Sequence, residues 1–396
     1  MGTAFSTFAD GFLVDRECSA RCKFASLIGG LIMKTMLKLM AVGLVASLLV
    51  GGQTVARAEG PVDITYGYHP YWTGGWSGVI IKEKGLWKKY LPPGSTVRFE
   101  PQLTGPPMVA ALLSNKMQIG TMGDMPSLVA TTKYKVADVR LVSVPMYSNG
   151  QVCNKILVSK NAPQFKDYKE AMKWMTGRPF AVHKGTCANR FVESVIDQGA
   201  FKPSEILSMP IEVIASNFEA GKLDAAAMWE PHARRQVELG NARYVATGAP
   251  WNESDADFTL MRQDFIEQHP QAAVGWIKAE IEAVQFMAKY PKETADIIAK
   301  ELTGYTPKTA WLALYEENPA SIGGDPVNYV GKMVFDKDVL NLMNKGYAFL
   351  NKLKVTNMPG MPPHPINDGP VKQALKEMGL TAPVAVIKGM PESAYK

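Results

Sequence analysis

Residues 221–231 read Gly221-Lys222-Leu223-Asp224-Ala225-Ala226-Ala227-Met228-Trp229-Glu230-Pro231. The glycine ends a short helix, and the run of small residues after it is typical of a strand buried on both faces. This strand stops at an aromatic residue, a carboxylate and a proline. Because an α/β sheet presents side chains to a ligand at the carboxyl ends of its strands, we expect this strand end to lie at a binding site.

A second stretch repeats the pattern earlier in the chain. Residues 112–126 read Leu112-Leu113-Ser114-Asn115-Lys116-Met117-Gln118-Ile119-Gly120-Thr121-Met122-Gly123-Asp124-Met125-Pro126. A helix tail again leads into a short apolar strand, which ends at a glycine, an acid and a proline. Two such strand ends predict two sheets that face one cleft.

The alternation of strand and helix patterns predicts an α/β fold with two mostly parallel sheets flanked by helices. We divide the chain into a leader (residues 1–58), a first part of lobe 1 (59–152), lobe 2 (153–245), and a second part of lobe 1 with C-terminal helices (246–396). Inserting lobe 2 into a discontinuous lobe 1 leaves two crossover strands, which are expected to act as a hinge.

The leader has the composition of an export signal. A short basic segment begins at Met33, residues 39–50 are apolar, and Ala56-Arg57-Ala58 is a small-x-small cleavage site. The apolar run is too short to span a bilayer comfortably. Residues 33–58 are therefore predicted to be a cleaved signal peptide and the protein to be periplasmic, with Met33 as the true initiator.

Composition and motifs exclude several classes of protein. The net charge is +6 at pH 7, and because the chain has no stripe of interleaved basic and aromatic residues, nucleic-acid binding is not expected. No His-Glu-x-x-His or Cys-x-x-Cys spacing indicates a metal site, and no nucleophile elbow or phosphate-binding loop indicates acyl transfer or nucleotide hydrolysis. We expect no catalytic residue, no metal and no cofactor.

Cys153 and Cys187 are the two cysteines outside the leader. In an oxidising compartment they can pair, and a bridge closing this loop would contribute roughly 4 kcal/mol in the chain-entropy model. Spacing alone does not establish contact, so a disulfide and two buried free thiols both remain open.

Several stretches resemble the nitrate/sulfonate/taurine-type solute-binding proteins of ABC importers. They lie in one order along the chain: 84–87, 108–113 running on to 123–126, 180–187, 219–226 and 229–231. The resemblance implies a two-lobed type II periplasmic-binding-protein fold with a hinge. It also implies a monomer that closes on a small anionic or zwitterionic solute, such as a sulfonate or taurine, and delivers it to a membrane permease with an ATPase.

The same fold also serves an enzyme, the yeast-type pyrimidine precursor synthase, which carries a cysteine-rich cluster. The corresponding segment here, Gly185-Thr186-Cys187-Ala188, has one cysteine only, which argues against that enzyme. Binding of nitrate, bicarbonate, an aromatic acid or a pyrimidine precursor remains open as an alternative to sulfonate binding.

Two helix starts are candidates for contact with an anion. Thr186 can cap the helix that follows it and leave the amides of Ala188 and Asn189 pointing outward, and a free helix N-terminus attracts an anion. With the matching family position, Thr186, Cys187 and Ala188 are candidate ligand contacts; the alternative is an ordinary capped helix in solvent. Gly105 begins a second helix, where two prolines remove two donors, and a purely structural role is equally open.

Aromatic residues are candidates for contact with the carbon part of a solute. Tyr71, Trp72 and Trp76 lie in the loop after the first strand, and their rings could sandwich the solute. The alternative is core packing, and we expect one or two of the three to reach the cleft. Trp229 would contact the solute from the opposite lobe.

Two carboxylates end the two strands. Asp124, which precedes the further candidate Met125, and Glu230 would repel a plain inorganic anion at close range. If both face the ligand, the ligand carries an ammonium or other donor-rich group, which favours an aminosulfonate over nitrate. The alternatives are a helix N-cap for Asp124 and a hinge salt bridge for Glu230.

Overall fold

A computed structural model describes residues 59–396. The predicted leader, with its signal peptide and the start at Met33, lies outside the described residues. The described part contains a seven-stranded and a five-stranded sheet, with helices packed on both. This confirms the prediction of an α/β fold with two sheets. Below, lobe 1 is the seven-stranded sheet with its helices, and lobe 2 is the five-stranded sheet with its helices.

The strands alternate with helices along most of the chain. In chain order the strands are β1 (Asp63–Tyr68), β2 (Thr96–Pro101), β3 (Ile119–Gly123), β4 (Val139–Ser148), β5 (Lys155–Ser159), β6 (Pro179–Val182), β7 (Glu205–Ser208), β8 (Ala225–Met228), β9 (Ala242–Ala246), β10 (Asp255–Arg262), β11 (Val327–Gly331) and β12 (Ala385–Lys388). The order across the sheet of lobe 1 is β12-β11-β4-β10-β3-β1-β2, and across the sheet of lobe 2 it is β7-β6-β8-β5-β9.

The prediction that both sheets are mostly parallel is wrong, because both are mixed. In lobe 1, β1 is parallel to β2 and β3, but β10 is antiparallel to β3 and β4. In lobe 2, β5 is antiparallel to β8 and β9. The crossovers explain this. β4 leads out of lobe 1 and β10 leads back into it, so these two neighbouring strands run in opposite directions. In lobe 2, β5 follows the first crossover and β9 precedes the second, so they are antiparallel for the same reason.

The helices cover the faces of the sheets. They are α1 (Trp76–Lys84), α2 (Trp87–Tyr90), α3 (Gly105–Leu113), α4 (Asp124–Thr132), α5 (Tyr168–Met175), α6 (Cys187–Asp197), α7 (Ile211–Glu219), α8 (His232–Glu238), α9 (Gln263–Gln268), α10 (Pro270–Lys289), α11 (Pro291–Glu301), α12 (Pro307–Tyr315), α13 (Lys337–Lys352) and α14 (Gly369–Met378). Gly85 ends α1 in the left-handed conformation, with φ +62°, which glycine adopts without strain.

Helical spacing in the C-terminal half identifies the buried faces. In α10, the side chains of Val274, Ile277, Ile281 and Val284 are buried, as expected for an amphipathic stripe. In α13, the apolar side chains that pack inward include Val339, Met343, Tyr347 and Leu350. These two helices are the main C-terminal contribution to lobe 1. Among residues 59–396, no helix has both the length and the apolar character needed to cross a membrane.

Two crossover segments, residues 149–154 and 247–254, join the lobes. The Gly248 amide donates to the Gly150 carbonyl at 3.0 Å, and Asn154 Nδ2 donates to the Glu253 carbonyl at 2.8 Å. A Cβ atom at Gly150 would lie 2.5 Å from Gly248 Cα, so the two backbones approach this closely because residue 150 is a glycine. The lobe boundaries at 152/153 and 245/246 remain predictions.

Candidate functional site

A cavity of ≈ 360 Å³ lies between the lobes. Lobe 1 contributes the ends of β1 and β3 and the first turns of α3 and α4, and lobe 2 contributes the loop after β6 and the end of β8. The lining residues are His69, Trp72, Thr104, Gly105, Pro106, Val109, Ala110, Leu113, Met122, Gly123, Asp124, Pro126, Val129, His183, Lys184, Gly185, Thr186, Cys187 and Trp229. The stretches after β3 and β8, where we expected a binding site, therefore both reach one cleft.

The wall from lobe 1 is largely apolar. One face of α3, at the spacing i, i+3, i+4 and i+7, lines the cavity, and α4 adds two residues; together these are Pro106, Val109, Ala110, Leu113, Pro126 and Val129. Prolines within the first turn of each helix remove amide donors there. A Cβ atom at Gly105 would lie 2.3 Å from the Cβ of Pro126, so the glycine lets the two helix starts approach closely.

The wall from lobe 2 is polar. Thr186 caps α6, because its Oγ1 accepts a hydrogen bond from the Asn189 amide at 3.3 Å. The prediction that the Asn189 amide is free is therefore wrong. Within the described residues the amides of Cys187 and Ala188 have no hydrogen-bond partner, as expected for a capped helix start. A negative group is attracted to such a position.

Two further side chains make this wall suitable for an anion. Lys184 is exposed at the mouth of the cavity, and it makes no ion pair with any described residue. His183 stacks on Trp229 with ring centroids 5.7 Å apart. Its Nδ1 is buried and has no hydrogen-bond partner within residues 59–396, and burial lowers the pKa of the ring, so the imidazole is neutral.

Cys153 and Cys187 form a disulfide, with their Cα atoms 6.2 Å apart. Of the two possibilities left open by the sequence, the structure therefore has the bridge. Cys187 is the first residue of α6, and Cys153 lies in the first crossover segment. The bond ties the start of α6, which lines the cavity, directly to the first crossover segment.

Asp124 lines the cavity but is already paired. Its Oδ2 accepts a hydrogen bond from Arg190 Nη2 at 2.9 Å, and its Oδ1 accepts from the Met125 amide at 2.6 Å. Only 1% of its side chain is exposed. Burial raises the pKa of Asp124, and the Arg190 guanidinium opposes that shift. In either protonation state, this carboxyl carries no free negative charge toward the cavity.

Glu230 does not line the cavity. Its carboxylate accepts from the Arg234 amide at 2.9 Å and from the Tyr244 hydroxyl at 2.6 Å, beside the buried ammonium of Lys155. It thus belongs to a buried polar cluster behind the end of β8. Only one of the two carboxylates, Asp124, therefore lines the cavity, so this geometry gives no reason to expect a cationic group on the ligand.

The aromatic candidates divide into two groups. Trp72 and Trp229 line the cavity. Trp76 is fully buried and donates from Nε1 to the Pro70 carbonyl at 2.8 Å, while Tyr71 stacks on His232 with centroids 5.9 Å apart. Two of the other candidates, Met125 and Ala188, are fully buried and lie outside the lining.

Buried acids lie behind the wall of lobe 1. Asp257 Oδ1 accepts a hydrogen bond from Trp72 Nε1 at 2.9 Å, and burial raises its pKa well above the ordinary value. Glu280, which accepts hydrogen bonds from the hydroxyls of Ser143 and Thr259, has its pKa raised to about 7 by burial. A raised pKa favours the neutral acid, so these residues carry less negative charge than solvated carboxylates would.

Much of the lining was not predicted from the sequence, namely His69 and the apolar side chains of Val109, Leu113, Met122 and Val129. A usable signal exists for α3: once its start is assigned to the cleft, the residues at i, i+3, i+4 and i+7 follow from helical geometry. His69 lies just after β1, at a strand end like the two that we used. No group of three or more His, Cys, Asp or Glu in the described part of the chain could hold a metal ion.

Curated relatives with about one quarter identity include three solute-binding proteins. A protein of Bacillus subtilis (strain 168) named for binding aliphatic sulfonates is 26% identical over 222 residues, which is 55% of this chain and 64% of that protein. A protein of Escherichia coli (strain K12) with the same name is 25% identical, over 68% of this chain and 80% of that protein. The taurine-binding periplasmic protein of Escherichia coli is 24% identical, over 48% and 58%. Two of these matches thus span less than two thirds of the relative.

Solved structures of the same fold include binding proteins for different anions. The periplasmic aliphatic sulphonate-binding protein SsuA from Escherichia coli superposes with a TM-score of 0.62 at 20% identity, covering 78% of this chain and 92% of that chain. The periplasmic nitrate-binding protein NrtA from Synechocystis PCC 6803 has a TM-score of 0.59 at 15% identity, covering 86% and 98%. The periplasmic-binding-protein fold and the resemblance inferred from the motifs are confirmed. Because the NMT1-like family profile matches residues 57–303, more than half of the chain, this protein belongs to the NMT1-like family.

Proposed function

We propose that this protein is the periplasmic substrate-binding component of an ABC importer and that it captures an organic sulfonate. The observation that carries the proposal is the pairing of two unlike walls around one cavity. A helix start with unpartnered amides, next to Lys184, suits an anionic head group. The opposite wall of aliphatic and proline side chains suits an apolar body.

The size of the cavity also favours an organic anion over an inorganic one. A volume of ≈ 360 Å³ falls within the range of roughly 300–1,000 Å³ that is typical of sites for small organic ligands. Nitrate or bicarbonate would leave the apolar wall of α3 and α4 without contacts. The names of the relatives support the same choice.

The proposed contacts follow from the lining. The unpartnered amide of Cys187 and the unpartnered Nδ1 of His183 would bind the head group. Thr186, whose hydroxyl donates to the His183 carbonyl and accepts from the Asn189 amide, would hold this helix start in place. Trp72, Trp229, Gly105 and the apolar face of α3 would contact the body of the solute. The two lobes would close about the crossover segments, and the closed monomer would deliver the solute to a membrane permease driven by an ATPase. The protein would perform no chemistry of its own.

Calorimetric titration of the purified protein, freed of solute, tests this function. The panel contains alkanesulfonates of increasing length, nitrate, bicarbonate, benzoate and a pyrimidine precursor. We expect the alkanesulfonates to bind most tightly, with affinity rising as the chain lengthens, because each buried methylene contributes about 0.8 kcal/mol. Tighter binding of nitrate or of a carboxylate than of any sulfonate would overturn the proposal.

Lys184→Gln tests the assignment of the head group to lobe 2. Because Lys184 is exposed and its charge is screened, we expect a loss of no more than about 1 kcal/mol in sulfonate affinity, equal for short and long chains, that shrinks as salt is added. Lys222→Gln, at an exposed lysine of lobe 2 outside the cavity lining, is the matched control and should leave affinity unchanged. Equal losses in both variants would remove Lys184 from this role.

A further inference from the structure

We propose that Arg190 determines specificity at this site by occupying the carboxylate of Asp124, so that the cavity rejects solutes that carry an ammonium group. The inference rests on the proposed function, because it concerns which organic sulfonates the cavity accepts. It distinguishes amine-free sulfonates from zwitterionic ones of the same size and shape.

Asp124 is the acid that an ammonium group in the cavity would have to use. Within the described part of the chain, it is the only acidic residue that lines the cavity. Both of its oxygens are engaged, one by Arg190 Nη2 at 2.9 Å and the other by the Met125 amide at 2.6 Å. An ammonium group would therefore have to displace a guanidinium to reach it.

The guanidinium of Arg190 is itself held firmly. Its Nη1 donates to Glu253 Oε2 at 2.7 Å, and its Nη2 also donates to the Ser254 carbonyl at 2.6 Å. Glu253 is fixed in turn by the Ser194 hydroxyl and by Lys345 Nζ, both at 2.8 Å. With 3% of its side chain exposed, Arg190 has no solvated position to which it can turn without breaking this network.

The rest of the lining, within the described residues, gives an ammonium group no second carboxylate. Lys184 would repel it, and the amides at the start of α6 are donors. Asp257 lies behind Trp72, whose Nε1 donates to its Oδ1, and is outside the lining. Moving an ammonium group out of water into the cavity without a free carboxylate to pair with it costs free energy. We expect a discrimination of about tenfold, the order that one unsatisfied buried polar group produces.

The test is calorimetric titration with propane-1-sulfonate and taurine, two sulfonates that differ only in a methyl group against an ammonium group. The wild-type protein should bind propane-1-sulfonate about tenfold more tightly. If the wild type binds neither compound nor any other sulfonate of the panel, the proposed function fails. If it binds taurine as tightly as propane-1-sulfonate or more tightly, the inference about Arg190 fails while the proposed function stands.

Arg190→Met removes the guanidinium and should move the ratio of the two affinities toward taurine by about tenfold. Lys352→Met, which removes a cation that pairs with Glu193 and Asp197 on the same helix as Arg190 but lies outside this network, is the matched control and should leave the ratio unchanged. An unchanged ratio in a folded Arg190→Met protein would overturn the inference.

Asp124→Asn keeps the test decisive if Arg190→Met does not fold. With the carboxylate already occupied, this substitution should leave the ratio of the two affinities as in the wild type. A selective loss of taurine binding in Asp124→Asn would show that Asp124 contacts the ammonium group, and it would overturn the inference.

Discussion

Both walls of the cleft are formed by the N-terminal turns of helices, but one wall is apolar and the other is polar. On the side of lobe 1, α3 and α4 point their first turns at the cavity, and on the side of lobe 2, α6 does so. The first turns of α3 and α4 contain prolines and present aliphatic surface. The first turn of α6 contains none and keeps unpartnered amides beside Lys184.

The difference shows that a helix start is not by itself an anion site. The dipole of the helix is present in all three cases, but donors in the first turn are needed to use it. The first turn of α3 lacks two amide donors because it contains Pro106 and Pro107. In α4, the carboxylate of Asp124 accepts the hydrogen bond of the Met125 amide, so that donor is already used. The solute is therefore expected to place its charged end on lobe 2 and its apolar end on lobe 1.

The largest expected effect is on the free energy of unfolding, and it comes from the disulfide that fixes the polar wall. Replacing both Cys153 and Cys187 by serine should lower the free energy of unfolding by about 4 kcal/mol, because the disulfide restricts a loop with a sequence separation of 34. Urea denaturation measures this loss. Reducing the wild-type protein should reproduce it, whereas the reductant should leave the double variant unchanged. A double variant as stable as the oxidised wild type would contradict the prediction.

The next effect is on how stability depends on pH, and it comes from a buried acid of lobe 1. Burial raises the pKa of Glu280 from 4.5 to about 7, so between these values the folded protein holds a proton that the unfolded chain has lost. This contribution to stability is complete below the unfolded pKa and is lost as the pH rises through about 7. The slope from this one group is at most about 1.4 kcal/mol per pH unit.

Urea denaturation between about pH 5 and pH 8 measures that slope in the wild type and in Glu280→Gln. The variant should lose the contribution of Glu280, while other groups such as Asp255, whose pKa burial also raises to about 7, contribute equally to both proteins. Identical slopes in the two proteins would mean that Glu280 is ionised in the fold and that the apolar wall has a negative charge behind it.

The smallest effect is on solute affinity, and it distinguishes contacts to the apolar end of the solute from contacts to its charged end. Val129→Thr keeps the volume of the side chain but adds a hydroxyl to the apolar wall, which should weaken binding of a long alkanesulfonate by about 1 kcal/mol. Binding of methanesulfonate, which is too short to fill that wall, should barely change. Calorimetry on both compounds measures the difference. Equal losses for the two would place the head group, and not the tail, beside α4.

Local pattern was sufficient to predict the framework. Small-residue strands with abrupt ends predicted the positions of β3 and β8 at the cleft. Strand direction was not predictable in the same way. β4 and β10 are separated by the whole of lobe 2, and their antiparallel pairing follows from the path of the chain and not from their own residues.

The roles of the carboxylates show a second limit of the sequence. Asp124 and Glu230 follow similar strands, and each was expected either to contact the ligand or to serve a structural role. The partner of Asp124 is Arg190, 66 residues away, and Glu230 is enclosed by Tyr244 and Lys155. Such partners are brought together by tertiary packing, so the residues next to each acid in the chain do not reveal whether its charge is available.

The contact between Gly150 and Gly248 has a consequence for how this chain can change over evolution. The two connectors form a single seam, because a Cβ atom at Gly150 would lie 2.5 Å from Gly248 Cα and one at Gly248 would lie 2.9 Å from Asn154 Cβ. Both connectors would therefore have to twist together in the lobe closure proposed above. None of the cavity residues belongs to this seam. Substitutions of side chains in the cleft can thus adapt the site to a new solute, while the crossover segments stay unchanged.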